Sequence, residues 1–216
     1  MFEFYTWATP NGRKVSIALE EMGLPYELHT IDITKDEQFA PDFLKIAPNN
    51  RIPALVDRGN GQSLFESGAI LMYLAEKTGM YWPAKAPAKW TAVEWLMWQM
   101  GGVGPMLGQL HHFVAFNKGK SAYAEERYLN EGKRLYGVLD RRLADVEYVA
   151  GDYSIADMAI WPWIASFRRQ TIDLNDYPNV KRWYLGIADR PAVIRGFAVP
   201  DLRDRTPNFS TAIDRP

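Results

Sequence analysis

The sequence predicts a small mixed α/β domain followed by an all-helical domain. Three observations lead there. Short strand-like and helix-like segments alternate through the first 80 residues. A linker follows at 81–88, marked by Pro83 and Pro87. Beyond it the apolar residues recur at helical spacing, with no convincing strand pattern. The expected organisation is a first domain over 1–80, a helical domain over 89–200 and a polar tail over 201–216.

Each element has a local reason. Phe2–Tyr5 is a short aromatic strand. Thr9-Pro10-Asn11-Gly12 is a strong turn signal. Val15, Ile17, Ala18, Leu19 and Met22 then form a helical apolar face, closed by Gly23 and Pro25. Tyr26–Ile33 is a second strand and Phe39–Leu44 a short helix or turn. Ala54–Val56 and Ser63–Phe65 are strands joined by a hairpin loop rich in Gly, Asn and Asp. Glu66–Thr78 is a helix stopped by Gly79. The order βαβαββα suits a small sheet covered by helices. In the second half the helices are Lys89–Phe116, Ala122–Asp145, Ser154–Arg169, Tyr177–Ala188 and a short one after Pro191. The first of these carries Gly101-Gly102-Val103-Gly104-Pro105, where a kink or local break is expected.

Composition narrows the chemistry. The chain is 47% hydrophobic over 216 residues, enough for a real core. Its formal net charge of −1 gives no reason to expect nucleic acid or an anionic membrane as partner. There is no cysteine, which excludes disulfides, cysteine-held metals and a protein thiol nucleophile. Any thiol chemistry must therefore use a sulfur that arrives with a ligand. No apolar run is long enough to span a bilayer, and no basic segment with an apolar core leads the chain. A cytoplasmic protein is the expectation.

Several motifs are more specific than the domain order. They are Thr9-Pro-Asn-Gly, Pro48-Asn-Asn-Arg-Ile-Pro53, Phe65-Glu-Ser-Gly-Ala69 and Tyr153-Ser-Ile-Ala-Asp157. Together they resemble the glutathione site and the sixth-helix capping motif of glutathione transferases. Gln99-Met-Gly-Gly-Val-Gly-Pro-Met-Leu-Gly-Gln109, His111-His112-Phe113 and Glu126-Arg-Tyr128 narrow the likeness. They resemble the nu class, a bacterial disulfide-bond oxidoreductase group similar to the yeast prion protein that regulates nitrogen metabolism. The resemblance runs from about residue 3 to about residue 198 and shows no departure at the motif positions. It implies a thioredoxin-like N-terminal domain, an all-α C-terminal domain, a homodimer and glutathione as co-substrate, with no metal.

The same resemblance assigns residues. Thioredoxin-like domains place a cis proline where Ile52-Pro53 stands. A cis bond would turn the Ile52 backbone toward the cysteinyl backbone of glutathione, pairing with it as an added strand does. Glu66 and Ser67 admit two readings on sequence, as helix caps or as a zwitterion site. A helix N-terminus favours the γ-glutamyl carboxylate, and Glu66 would balance the ammonium. Gln38 and Arg127 are ordinary surface residues on sequence; the resemblance makes both glutathione contacts. Thr9 and Asn11 are sufficient as turn formers. They also stand where the family activates sulfur, and their hydroxyl and amide would donate to the thiolate. Tyr5, four residues earlier in the strand, is not nominated. His111 and His112 point about 100° apart on a helix, so a shared metal is not expected. Trp161 and Trp163 are expected in the core, and Met106 and Phe113 are candidates for the second-substrate pocket.

Two functions stay open at this level. One is an enzyme that uses bound glutathione, chiefly for thiol–disulfide exchange on small disulfides, with weaker transfer to electrophiles. The other is a non-enzymatic glutathione-binding or regulatory protein, since fold does not settle function.

Overall fold

The structure, a computed structural model, describes residues 1–201. The expected tail lies outside the described residues from position 202 onward. The chain divides into two compact units. One holds residues 1–82 together with the segment from Asp189 on; the other holds 83–188.

The first unit is built on a four-stranded sheet of order β2-β1-β3-β4. Strand β1 (Phe2–Thr6) runs parallel to β2 (Tyr26–Thr30) and antiparallel to β3 (Ala54–Asp57), and β3 is antiparallel to β4 (Gln62–Phe65). Phe2, Phe4 and Thr6 are buried and alternate with half-buried residues, as the two-residue side-chain period requires. Strand β2 stops at Thr30, short of the Ile33 that the sequence suggests. Asp32 ends it: its carboxylate accepts from Thr34 N–H at 2.9 Å and turns the chain into a short 3-10 turn, Ile33–Lys35. Helix α2 (Pro41–Ile46) starts later than expected because Pro41, at the first turn, presets the helical φ. It packs Phe43 and Ala47 with Ala54 beneath Tyr5, Ile31 and Ile52.

Helix α1 (Pro10–Glu21) buries the predicted Val15, Ile17, Ala18 and Leu19, and also Lys14 and Ser16. Helix α3 (Ser67–Thr78) ends at Gly79, whose φ of 68° is the left-handed closure that glycine adopts without strain. The sequence placed the last helix, α9 (Pro191–Phe197), with the helical domain; it packs instead on α1. Ser16 Oγ donates to Gly196 O at 2.6 Å, Arg13 stacks over the Phe197 ring at 3.8 Å, and Arg190 grips Glu21 through two bonds of 2.6 and 2.9 Å. The helices approach so closely that a Cβ on Gly196 would stand 2.6 Å from Ile17 Cα.

The second unit is helical. Where the Gly-rich segment suggested a kink or local break, the α-helix is interrupted by a wider turn. Helix α4 (Ala88–Trp98) widens into a π-helical turn, Gln99–Val103, and resumes as α5 (Gly104–Leu110). Pro105 sits in the first turn of α5, where its fixed φ suits the helix. A second π turn, His111–Phe116, follows. Helix α6 (Ala122–Asp145) has the predicted bounds and is capped by Ser121. Helix α7 (Ile155–Ile164) is shorter than predicted. The buried Gln170 amide donates to Trp163 O at 2.8 Å, which ends the helix and folds the chain back. Helix α8 (Pro178–Ala188) begins on Asp140, whose carboxylate accepts from Asn179 and Val180 N–H.

The predicted capping box of α7 is present. Its Asp157 does more than cap. It is fully buried and accepts from Ser154 N–H at 3.0 Å, Val149 N–H at 3.0 Å and the Trp183 indole at 2.9 Å. Burial pushes its carboxyl up to about 6 against the pull of these donors. Trp161 is wholly buried and donates to Tyr184 O, as a core aromatic should.

Two stability outcomes follow. Asp157→Ala leaves three buried donors without an acceptor and should cost about 3 kcal/mol or more, well above the roughly 1 kcal/mol of a lost cap. Urea denaturation measures it; a loss of 1 kcal/mol or less would show that the network adds nothing to the cap. Gly196→Ala should lower stability by about 1–3 kcal/mol through overpacking, although alanine is the better helix former. An unchanged or raised melting temperature would refute the tight α1–α9 approach.

Candidate functional site

Strand register decides where the candidate residues lie. Tyr5 pairs with Ala54, and Ala54 pairs with Phe65. Thr6 pairs with Thr30 on the other side. The end of β1, the start of β3, the end of β4 and the end of β2 therefore share one end of the sheet. Beyond that end stand Thr9 and Asn11 after β1, Gln38 after β2, Ile52 and Pro53 before β3, and Glu66 and Ser67 after β4. Seven of the eight sequence-nominated residues thus fall on one side of the sheet. The eighth, Arg127, is in the other unit.

The Ile52–Pro53 bond is cis. Pro53 is buried, and Ile52 is half-buried against the cluster of Phe43, Ala47 and Ala54. Its backbone follows Arg51 and precedes β3, so it lies just beyond the end of the sheet ladder.

Thr9 is the N-cap of α1, and its Oγ1 accepts from Gly12 N–H at 3.2 Å. The bond uses an oxygen lone pair and leaves the hydroxyl proton available for donation. Asn11 occupies the first turn of the helix, half-exposed, where the dipole favours an anion. Gly12 is buried beneath them. A Cβ there would collide with Thr6 Oγ1 and Trp7 O, so the glycine lets α1 start directly against the end of β1.

Glu66 stands at φ 69° and ψ 114°, a conformation that costs a non-glycine residue about 1–3 kcal/mol. Its side chain makes no capping bond to α3. The capping reading of Glu66 therefore falls: its exposed carboxylate is held beside the helix N-terminus without bonding to it. Ser67 is the first residue of α3 and is buried. Its Oγ accepts from Lys14 Nζ at 3.2 Å. Gln38 is 7% exposed; its amide nitrogen reaches Asp36 at 3.3 Å, while its Oε1 is buried with no hydrogen-bond partner among the described residues.

Lys14 was not nominated from sequence. It is 1% exposed, and burial draws its amine down to about 7, with the Glu66 charge acting the other way. The signal was present. Lys14 lies three and four residues before Ile17 and Ala18, which puts a lysine on the apolar face of the helix.

In the second unit, Arg127 is exposed on α6 and lines a cavity of about 680 Å3 with Met106, Tyr123, Tyr128 and Asn130. Met106 is therefore at a cavity wall; Phe113 stacks on Tyr128 with ring centres 5.4 Å apart. His111 and His112 do point apart. His111 is buried, meets Gln170 Nε2 at 3.1 Å and is lowered to about 4, chiefly by burial. His112 is exposed beside Asn117. Tyr5 is also occupied elsewhere. Its hydroxyl donates to Glu3 at 2.8 Å, and burial with that bond pushes it up to about 12.

The chain matches the glutathione S-transferase N-terminal domain over residues 2–76 and the glutathione S-transferase C-terminal domain over residues 103–191. The chain belongs to the glutathione transferase superfamily. It is 48% identical over 210 residues to the disulfide-bond oxidoreductase YfcG of Escherichia coli, covering 94% of this chain and 98% of that protein. Within the superfamily this places it with the nu-class group of disulfide-bond oxidoreductases. A glutathione transferase from Burkholderia graminis, with two glutathione molecules bound per subunit, superposes with a TM-score of 0.87 at 44% identity, over 93% of this chain and 88% of the other. One from Pseudomonas putida, with one glutathione disulfide bound per subunit, does so with a TM-score of 0.87 at 43% identity, over 92% and 91%.

Gly12→Ala tests the geometry of the first turn. Helix propensity alone would favour alanine by about 1 kcal/mol. The clash with Thr6 and Trp7 should reverse the sign and cost about 1–3 kcal/mol. A thermal melt that rises instead would mean that α1 does not start against β1 as described.

Proposed function

We propose that this chain catalyses thiol–disulfide exchange on small disulfides using glutathione, with weak glutathione transfer to electrophiles. The observation that carries the reading is the convergence at one sheet end. The Ile52 backbone before β3, a helix N-terminus that the Glu66 side chain does not cap, and a second helix N-terminus with a hydroxyl proton to donate all meet there. A γ-glutamyl zwitterion fits Glu66 and Ser67, a peptide backbone fits Ile52 before Pro53, and a thiolate fits Thr9 and Asn11. Gln38, with its buried Oε1, and Arg127, with its exposed planar fork, are assigned to glutathione contact by the family resemblance; the fork suits a carboxylate.

The chemistry follows from the absence of cysteine. The thiolate of one glutathione attacks a disulfide sulfur, forms a mixed disulfide and releases the partner thiolate. A second glutathione thiolate attacks the mixed disulfide, releases the remaining thiol and leaves glutathione disulfide. Thiolate, not thiol, is the nucleophile, so lowering the thiol pKa by one unit, about 1.4 kcal/mol, raises the reactive fraction at neutral pH. Exchange needs no metal. Relatives that hold two glutathiones, or their disulfide, support a two-glutathione route. We assign the protein to the cytoplasm, where glutathione is the co-substrate, and to a homodimer, which the family resemblance implies.

Thr9→Ala should lower kcat for reduction of hydroxyethyl disulfide more than it raises the glutathione KM, because a donor aimed at sulfur serves the transition state. Asn11→Ala should behave alike, and Ser67→Ala should mainly raise KM. Since Thr9 also caps α1, Thr9→Ala should lose about 1 kcal/mol of stability as well. Thr9→Ser should keep both roles, whereas Thr9→Asp should keep the cap and lose the donor. Equal kcat in the alanine variants at both positions would put the sulfur elsewhere. Sedimentation equilibrium should report a dimer; a stable monomer at micromolar concentration would contradict it.

A further inference from the structure

Lys14 is a buried cation to which the exchange reaction assigns no role. Its neighbours on α1, Val15, Ile17 and Ala18, are fully buried and apolar. A charge in such a place costs several kcal/mol in lost hydration, and an apolar residue of the same volume would serve the core better. The amine reaches the candidate site: its Nζ lies 3.2 Å from Ser67 Oγ. In its charged form the amine has donors and no lone pair, and the hydroxyl then accepts. Ser67 opens α3, whose N-terminal dipole favours an anion, and the Glu66 charge beside it opposes the burial that lowers the Lys14 amine.

We propose that Lys14 is a positioning residue for the γ-glutamyl carboxylate. By donating to Ser67 Oγ it holds that hydroxyl in place at the start of α3, where the ligand's carboxylate would sit. The inference rests on the placement of the γ-glutamyl group at Glu66 and Ser67 proposed above. It adds that recognition at this point is a relay from a cation on α1 through a hydroxyl on α3. It also explains why α1, which carries Thr9 at its start, is tied to the start of α3.

The test is a double-mutant cycle read by calorimetric titration of reduced glutathione into the full-length protein. Lys14→Met should weaken binding about tenfold, the size of a lost hydrogen bond to a charged group. Ser67→Ala should weaken it by as much or more. The double variant should bind within twofold of Ser67→Ala, because Lys14 acts through the hydroxyl. The melting temperature of Lys14→Met should hold or rise, since a buried charge is gone; a purely structural lysine would lower it and leave the titration unchanged. Lys14→Gln keeps a donor for Ser67 and serves where the methionine variant does not fold; its smaller loss should likewise vanish in the Ser67→Ala background. Lys14→Met, or Lys14→Gln in its place, that binds as the wild type while Ser67→Ala is weakened overturns the relay alone, as does a loss that persists undiminished in the double variant. Ser67→Ala that binds as the wild type overturns the γ-glutamyl placement and the relay with it.

Discussion

Tyr5 pairs with Ala54, and Ala54 pairs with Phe65; the site of this protein depends on that ladder. It brings the chain to one end of the sheet from separate directions. Register is held by burial. Phe4 faces Leu55 across the ladder, both fully buried, so a slip of one residue would turn the apolar side chains of a strand to water. The cost of that slip keeps Pro53 and Glu66 beside the turn that holds Thr9. Geometry for chemistry is thus a by-product of hydrophobic pairing several residues away.

Helix α1 carries the other half of the arrangement. Its start is pressed onto β1 through Gly12, one flank binds α3 through Lys14, and another binds α9 through Ser16, Arg13 and Glu21. Most of these contacts are polar, in a helix whose apolar face would suffice for packing. Polar contacts are directional, and they fix the rotation of α1 about its axis where apolar packing would tolerate small shifts. The direction in which α1 presents Thr9 depends on that rotation. The backbone of Glu66 shows the same priority: strain is kept at the site and offset by the packing of α3 behind it.

The second unit follows a parallel rule. Asp157 joins the start of α7 to the loop before it and to Trp183 of α8, and Gln170 joins Tyr136, His111 and the end of α7. Each is a buried polar group surrounded by partners, and each sits where a helix starts or stops. Apolar side chains fill this unit; buried polar groups decide where its helices end. This is why the sequence overran α7. Ala165 and Phe167 continue the apolar pattern past Ile164, while the amide that ends the helix is six residues further on.

By itself the sequence determined the order of elements, the bounds of α6, the capping box at Ser154 and Asp157, and the absence of a protein thiol; the turn it suggested at Thr9–Gly12 is instead the N-cap and first turn of α1. All of these rest on neighbours within a few positions, or on composition. With the family motifs added, it also determined the cis bond at Pro53 and the list of candidate residues. Only the tertiary structure decided the rest. It gave α9 to the first unit, made the expected interruption at the glycines a π turn, ended β2 at Thr30, freed Glu66 from a capping role and aimed Lys14 at Ser67. The Lys14 contact spans 53 positions and the Ser16–Gly196 contact 180. Local periodicity says which face of a helix is buried; what that face meets depends on parts of the chain that folding alone brings together.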